Sequence, residues 1–254
     1  LLVRTPKGME PTERALEVRI AVREALDKIE GALTGQTGFD RENARLNITI
    51  GTTDYASFVL MPALLRKLEQ EAPGLTITIR PPDPAHIREW LEEGAGELVI
   101  GFVPDTAGTL KSSTLYADPL VCIARRDHPG LHGKLDMEAY QALRHVIFGT
   151  SFTGLSTLER TLDEILDEQG ATRIVGARIP CALLSPHIVA GTNMIATLPT
   201  RFVEQFRNTV PLQVFELPFR SPPLPVSMIW HERTHHSGAM TWLRQAIREI
   251  AKAY

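Results

Sequence analysis

The sequence predicts an α/β fold of two lobes, and three observations predict it. From residue 46 onward, β-branched alternating stretches trade places with helix-spaced apolar stretches in a β-α-β-α-β rhythm. The same rhythm restarts after the break at Asp127-His128-Pro129-Gly130. A hairpin-like stretch and one long amphipathic helix stand in front of both rounds.

The opening LLVRTPKGMEPTERA predicts a strand, a turn around Pro6 and Gly8, and a return. Thr12 is the expected helix N-cap, with Glu13 and Glu17 near the positive end of the dipole. The helix is expected from about Glu13 to about Leu33. Ala15, Val18, Val22, Ala25, Ile29 and Ala32 alternate spacings of three and four, the seam of a coiled coil. Such a stripe needs a surface to bury it. A second copy of the helix is the economical partner, and packing on its own domain is the alternative. The polar, glycine-containing TGQTGFDRENAR that follows is a hinge.

LNITIGT then predicts a strand, and ASFVLMPALLRKLEQEAP a helix with Pro62 near its first turns. LTITIRP, PAHIREWLEEG and ELVIGFV predict strand, short helix and strand, and TLYADPLVCIAR reads as further strand. The second round runs HVIFGT, LSTLERTLDEILDEQG, RIVGARI, CALLSPHIVAGT, MIATLP, TRFVEQF and LQVFELPF. PVSMIWH and SGAMTWLRQAIREIAKAY are expected to return to the first lobe. Two lobes joined by crossovers leave a cleft, where small ligands sit.

Composition narrows the function. Lys and Arg number 27 against 30 Asp and Glu, a net charge of −3, which argues against a whole-chain nucleic-acid glove. Cys122 and Cys181 sit in apolar runs without zinc spacing, as buried small hydrophobes in a reducing, cytoplasmic setting would. No apolar run reaches membrane-spanning length, so no membrane partner is expected. His231, His235 and His236 have no carboxylate or cysteine at helical spacing to make a metal site, so no metal is expected. There is no Gly-x-Ser-x-Gly elbow, phosphate loop or dinucleotide fingerprint, so no cofactor and no catalytic residue is assigned.

LLVRTPKGMEPTERA resembles the wing of a winged helix-turn-helix and its run into the linker helix, as LysR-type transcriptional regulators have them. The stretch from Leu46 to Pro81, with Pro62 and Ala72-Pro73, resembles that family's first sensor strand, helix and second strand. Thr53-Asp54, Arg126-Asp127-His128-Pro129, Ile195 to Pro199, Trp230-His231 and Trp242-Leu243-Arg244 are similar to its branch of aromatic-acid, nitroaromatic-degradation and nodulation regulators. The resemblance implies a two-lobed sensor domain like type II periplasmic-binding proteins, behind a wing remnant and a dimerisation helix. It also implies a DNA partner, reached through a helix-turn-helix mostly lacking here, a small-molecule effector, and a homodimer or homotetramer. The expected layout is wing 1–12, linker helix 13–34, hinge 35–45, lobe I 46–128 with 219–254, and lobe II 129–218. Val18, Val22, Ala25 and Ile29 would carry dimerisation, and Arg4 and Lys7 would meet DNA phosphates.

Thr52, Thr53, Asp54 and Tyr55 sit where a strand ends and its helix begins, a place whose free N–H groups attract anions. They form either an effector cradle or an ordinary N-cap. Asp54 would oppose an anion, so capping or meeting a ligand donor suits it better. Thr150, Ser151, Phe152 and Thr153 hold the equivalent place in lobe II, as cleft or as capped surface loop. Phe102 is expected on the lobe I wall, Val103 in the core, and His231 as a carboxylate donor or a structural histidine. The effector expected is a small molecule such as an aromatic carboxylate. A transporter-type solute-binding protein and an enzyme on the same fold are the rival readings.

Overall fold

The computed structural model describes all residues except 6–7, 13, 16–17, 19–20, 23–24, 27–38, 103–107, 151 and 254, and the backbone alone at 2–5, 8–11 and 253. The chain divides into two units, Leu1–Asp40 and Arg41–Tyr254.

In the first unit, β1 (Leu2–Thr5) and β2 (Gly8–Pro11) pair antiparallel, with Thr5 opposite Gly8. Arg4 lies on β1, while Lys7 and Ile29 lie outside the described residues. Thr12 caps the helix that follows, its hydroxyl oxygen accepting the Ala15 N–H at 3.2 Å. Val18, Val22 and Ala25 are helical, and Val22 and Leu26 are 49% and 55% exposed in the single chain.

Among the described residues, the second unit carries a five-stranded sheet in the first lobe and a three-stranded and a two-stranded sheet in the second. Strands β3 (Leu46–Thr52), β4 (Leu75–Arg80), β5 (Leu98–Gly101) and β6 (Leu110–Asp118) come first. Strands β7 (Leu120–Arg125), β8 (Arg144–Phe148), β9 (Ile174–Ile179), β10 (Ala196–Pro199) and β11 (Leu212–Glu216) follow, and β12 (Leu224–His231) closes the chain of strands. The first sheet has the order β4-β3-β5-β12-β6, with β3, β4 and β5 parallel and β12 antiparallel to both its neighbours. In the second lobe β10 and β11 flank β7, and β8 pairs with β9 in parallel. A parallel bridge from His145 to Ile195 joins these two groups.

One boundary differs from the sequence expectation, which keeps 46–128 in the first lobe. Pairing with β10 and β11 puts Leu120–Arg125 in the three-stranded sheet, so the chain changes lobe at Pro119. Proline has no N–H for a ladder, and TLYADPLVCIAR is two strands split there. The chain returns between Glu216 and Leu224, and residue 219 falls within that connection.

The helices are α1 (Asp54–Glu71), α2 (Ile87–Glu92), α3 (Met137–Ala142), α4 (Thr157–Glu168), α5 (Ser185–Ala190), α6 (Thr200–Glu204) and α7 (Gly238–Ala253). Pro62 lies in the middle of α1 rather than near its start, on the exposed face, where it offers no N–H to the Phe58 carbonyl. One apolar cluster runs through both lobes, from Ile50 and Leu64 to Phe148, Leu162 and Phe202. Phe58 of α1 stacks on Phe206 at 5.2 Å and meets the edge of Phe202 at 5.6 Å. Burying each such ring contributes roughly 1.5–3 kcal/mol, so α1 and α6 hold the lobes together at this point.

His145, fully buried on β8, gives the second lobe a measurable acid sensitivity. Its Nε2 lies 2.7 Å from the Tyr140 carbonyl, which only accepts, so the proton sits on Nε2. Among the described residues Nδ1 has no hydrogen-bond partner, and burial lowers the pKa from 6.5 to about 4. The unfolded chain therefore takes up a proton first. The resulting stability is present above pH 6.5 and is lost as pH falls toward 4. Between pH 7.5 and 5 the wild type is expected to lose about 2 kcal/mol more than His145→Gln, read by urea unfolding at both pH values. Parallel pH profiles for the two proteins would refute this.

Candidate functional site

The C-terminal ends of parallel strands and the turns after them build a cavity of about 770 Å³ between the lobes. The first lobe contributes the turn after β3, the segment from Pro81 to Arg88 after β4, and Phe102 after β5. The second contributes the turn after β8, the first turn of α4, and Pro180 to Ala182 after β9. Aromatic rings face it from both sides. Tyr55 stacks on Phe102 at 5.1 Å and 13°, and Phe152, 52% exposed, lies opposite on the second lobe with Phe148. The cations of the lining are Arg88 of α2 and Arg160 of α4.

Thr53 is the α1 N-cap, its hydroxyl oxygen accepting the Ala56 N–H at 3.3 Å. Asp54 reaches across the lobes instead. Its Oδ2 accepts the Ala182 N–H at 2.5 Å and the Leu183 N–H at 3.3 Å. Burial raises its pKa against the pull of those amides. The Tyr55 hydroxyl donates to Asp118 at 2.5 Å, at the end of β6 where the chain changes lobe. Burial is the first cause that raises the Asp118 pKa, and the Tyr55 hydrogen bond opposes it. Arg201 of α6 donates its N–H to Asp118 at 3.3 Å and lays its guanidinium 4.0 Å over Tyr116.

The second-lobe turn closes on itself. Thr150 Oγ1 accepts the N–H groups of Phe152 and Thr153 at 3.2 and 3.0 Å. Thr153 gives its one hydroxyl proton to the Leu155 carbonyl at 2.7 Å, so in the 2.9 Å contact between the two hydroxyls Thr150 is the donor. Both protons are engaged within the turn, so neither hydroxyl is left to donate into the cavity.

Thus Thr53, Asp54, Tyr55, Phe102, Thr150, Phe152 and Thr153 line one cavity, while Ser151 and Val103 lie outside the described residues. Thr52 is 2% exposed, donates to the Thr53 carbonyl and does not line it. His231 is not on the lining either. Its Nδ1 accepts the Arg233 N–H at 3.2 Å and caps the turn Glu232–Thr234. The cause is strand direction: β12 runs antiparallel to β5, and His231 lies four residues past Ser227, the partner of Gly101. The segment Pro81 to Arg88, Arg160 and Cys181 escape sequence reasoning. The rule that parallel strands end on the ligand side would have pointed to the first and third, since β4 is parallel to β3 and β9 to β8.

Residues 41–252 match the family model of the LysR substrate binding domain, and the chain belongs to that family. It is 29% identical over 250 residues to the HTH-type transcriptional activator NagR of Ralstonia sp, covering 98% of this chain and 82% of that protein. Nodulation protein D 2 of Sinorhizobium fredii is 30% identical over 253 residues, 97% of this chain and 78% of that protein. The crystal structure of a probable transcriptional regulator from Pseudomonas aeruginosa superposes with a TM-score of 0.75 at 25% identity, covering 97% of this chain and 82% of that one. The two-lobed α/β fold is that of this family. Among the described residues no helix is long and apolar enough to cross a membrane.

Proposed function

We propose that the chain is the signal-receiving part of a LysR-type transcriptional regulator that takes a small molecule between its lobes. The observation that carries this is the cavity of about 770 Å³, walled by rings and two guanidiniums contributed by both lobes. A planar ring fits against Phe102 and Phe152, and a carboxylate is met by Arg160 or Arg88, which makes an aromatic carboxylate the effector class. A ligand touching both lobes has different affinity for their open and closed arrangements, and only such a difference shifts an equilibrium. The output is DNA binding, with hairpin 1–12 as a wing carrying Arg4 and Lys7, and 13–34 as the linker helix. Val18, Val22, Ala25 and Ile29 pair it with a second copy in a dimer or tetramer. Such a regulator works in the cytoplasm and needs no catalytic residue.

The test is a thermal-shift screen of benzoate, cyclohexanecarboxylate, hexanoate and benzamide on the wild type, Phe152→Ala and Arg160→Gln. At tenfold above its Kd an aromatic acid is expected to raise Tm by about 2–4 °C. Phe152→Ala is expected to weaken it by about tenfold, as is Arg160→Gln, which leaves benzamide unaffected. Acids that stabilise all three proteins equally would remove the ligand from this cavity. Thr53→Ala is a poor probe here, because losing the cap costs about 1 kcal/mol whatever binds.

A further inference from the structure

The position of Asp54 says more about the cavity than that it is lined by a carboxylate. Two amide donors of the second lobe, Ala182 and Leu183, 128 and 129 residues further along the chain, converge on this side chain of the first lobe. At 2.5 and 3.3 Å both are within hydrogen-bonding range of a carboxylate oxygen. The 18-residue helix α1 adds its positive end at the same point. The amides belong to the second lobe and the helix end to the first, so an anion is favoured here from both sides of the cleft. The place is already filled by the protein's own side chain, which lines the cavity.

We propose that Asp54 is a built-in anion that determines the specificity and the closure of the cavity. It holds the turn at Ala182 against α1, and it denies that part of the lining to the negative group of a ligand. A ligand carboxylate placed beside it would meet a like charge and find the amides taken. A ligand whose carboxylate meets Arg160 or Arg88, the guanidiniums of the lining, avoids that repulsion. Asp54 then receives a ring edge or a hydroxyl that donates. In this orientation an acid with a ring hydroxyl is preferred over one without, and an acid with a carboxylate at each end is rejected.

That orientation rests on the proposed ligand function, whereas the occupied anion site does not, and the experiment reads the second. Asp54→Ala removes the carboxylate and leaves a gap of its size among the amides. Sodium formate is the probe, with sodium chloride at equal ionic strength as control. Formate is expected to raise the Tm of Asp54→Ala by about 2–4 °C once it is tenfold above its Kd, and to leave the wild type unmoved. Asp54→Asn fills the gap with an uncharged group of the same shape, so it is expected to lose stability and gain nothing from formate. If Asp54→Ala is too unstable to measure, Asp54→Ser leaves nearly the same gap on a better helix-starting residue. Recovery of either variant only in formate supports the proposal.

No formate response in either variant overturns it, as does an equal response in Asp54→Asn or the wild type. Failure of both variants to fold even in formate also counts against it. A failed rescue beside a positive acid screen removes the Asp54 assignment alone. A successful rescue beside an empty screen removes the sensor reading alone.

Discussion

Arg173→Met is expected to cost about 3–5 kcal/mol, because it strands a buried carboxylate. The Arg173 and Glu159 side chains are 3% and 1% exposed, with Nη1 2.6 Å from Oε2. Glu159 Oε1 accepts the Phe148 N–H at 3.2 Å, so the pair also fixes the end of β8 on the cavity wall. Arg173 binds Asp163 on the same helix as well. Burial pushes the Glu159 carboxyl up to about 7 against the pull of this guanidinium. Without the guanidinium the carboxyl rises further and takes a proton.

The sign follows from the raised value. A carboxyl that binds its proton more tightly when folded adds stability below the unfolded value near 4.5 and loses it as pH rises through the folded one. The gap between wild type and Arg173→Met in urea unfolding should therefore be widest at pH 8 and narrow at pH 5. Adding Glu159→Leu to Arg173→Met is expected to recover most of the loss, since a buried apolar pair replaces a lone carboxyl. Equal gaps at both pH values, with no recovery in the double variant, would mean that the site is open to water.

Asp118→Ala is expected to cost about 2–4 kcal/mol and to loosen the lobes. Asp118 is fully buried and lies one residue before the lobe change at Pro119. Its carboxylate takes the Tyr55 hydroxyl from α1 and the Arg201 N–H from α6, so both lobes hang on it. Arg201 continues the tie through Nη1 to the Ala251 carbonyl of α7 at 3.1 Å. Alanine leaves the Arg201 amide buried without this acceptor, at a cost of about 1–3 kcal/mol, and leaves the Tyr55 hydroxyl only the longer bond to the Tyr116 hydroxyl at 3.2 Å. Asp118→Asn keeps one acceptor and is expected to lose less than half as much. Equilibrium unfolding measures the loss, and faster proteolysis near Pro119 reports the loosening. An alanine variant as stable as the asparagine one would show that the carboxylate is not the tie.

Much of the fold is legible because local patterns and tertiary packing agree. Alternation in LNITIGT and LTITIRP marks half-buried strands, and Ser156 marks the start of α4 by capping it at Glu159. The failures are of another kind. The short helix α3 has six residues and is announced mainly by the Asp136 cap, too little for periodicity to register. The change of sheet at Pro119 is a long-range pairing that no window of neighbouring residues contains. His231 looks available in sequence, yet the direction of β12 carries it away from the ends of β3 and β5. The Thr150 and Thr153 hydroxyls look like ligand donors until their protons are counted. Asp54 suits a cap or a donor partner by its charge alone, but which amides it holds depends on a turn 128 residues away. Turns after strands are thus locatable from pattern, while the partners of their polar groups are decided by the other lobe.

Cys181 offers the most direct measurement of a ligand between the lobes. It lines the cavity and is partly exposed, whereas Cys122 is fully buried and its thiol is pushed upward by that burial. A disulfide reagent such as DTNB should therefore label one thiol per native chain. With the best aromatic acid of the screen at ten times its Kd, labelling of Cys181 is expected to slow by about tenfold, in step with occupancy. An acid that stabilises the protein yet leaves that rate unchanged at saturation would place its site elsewhere and contradict the account.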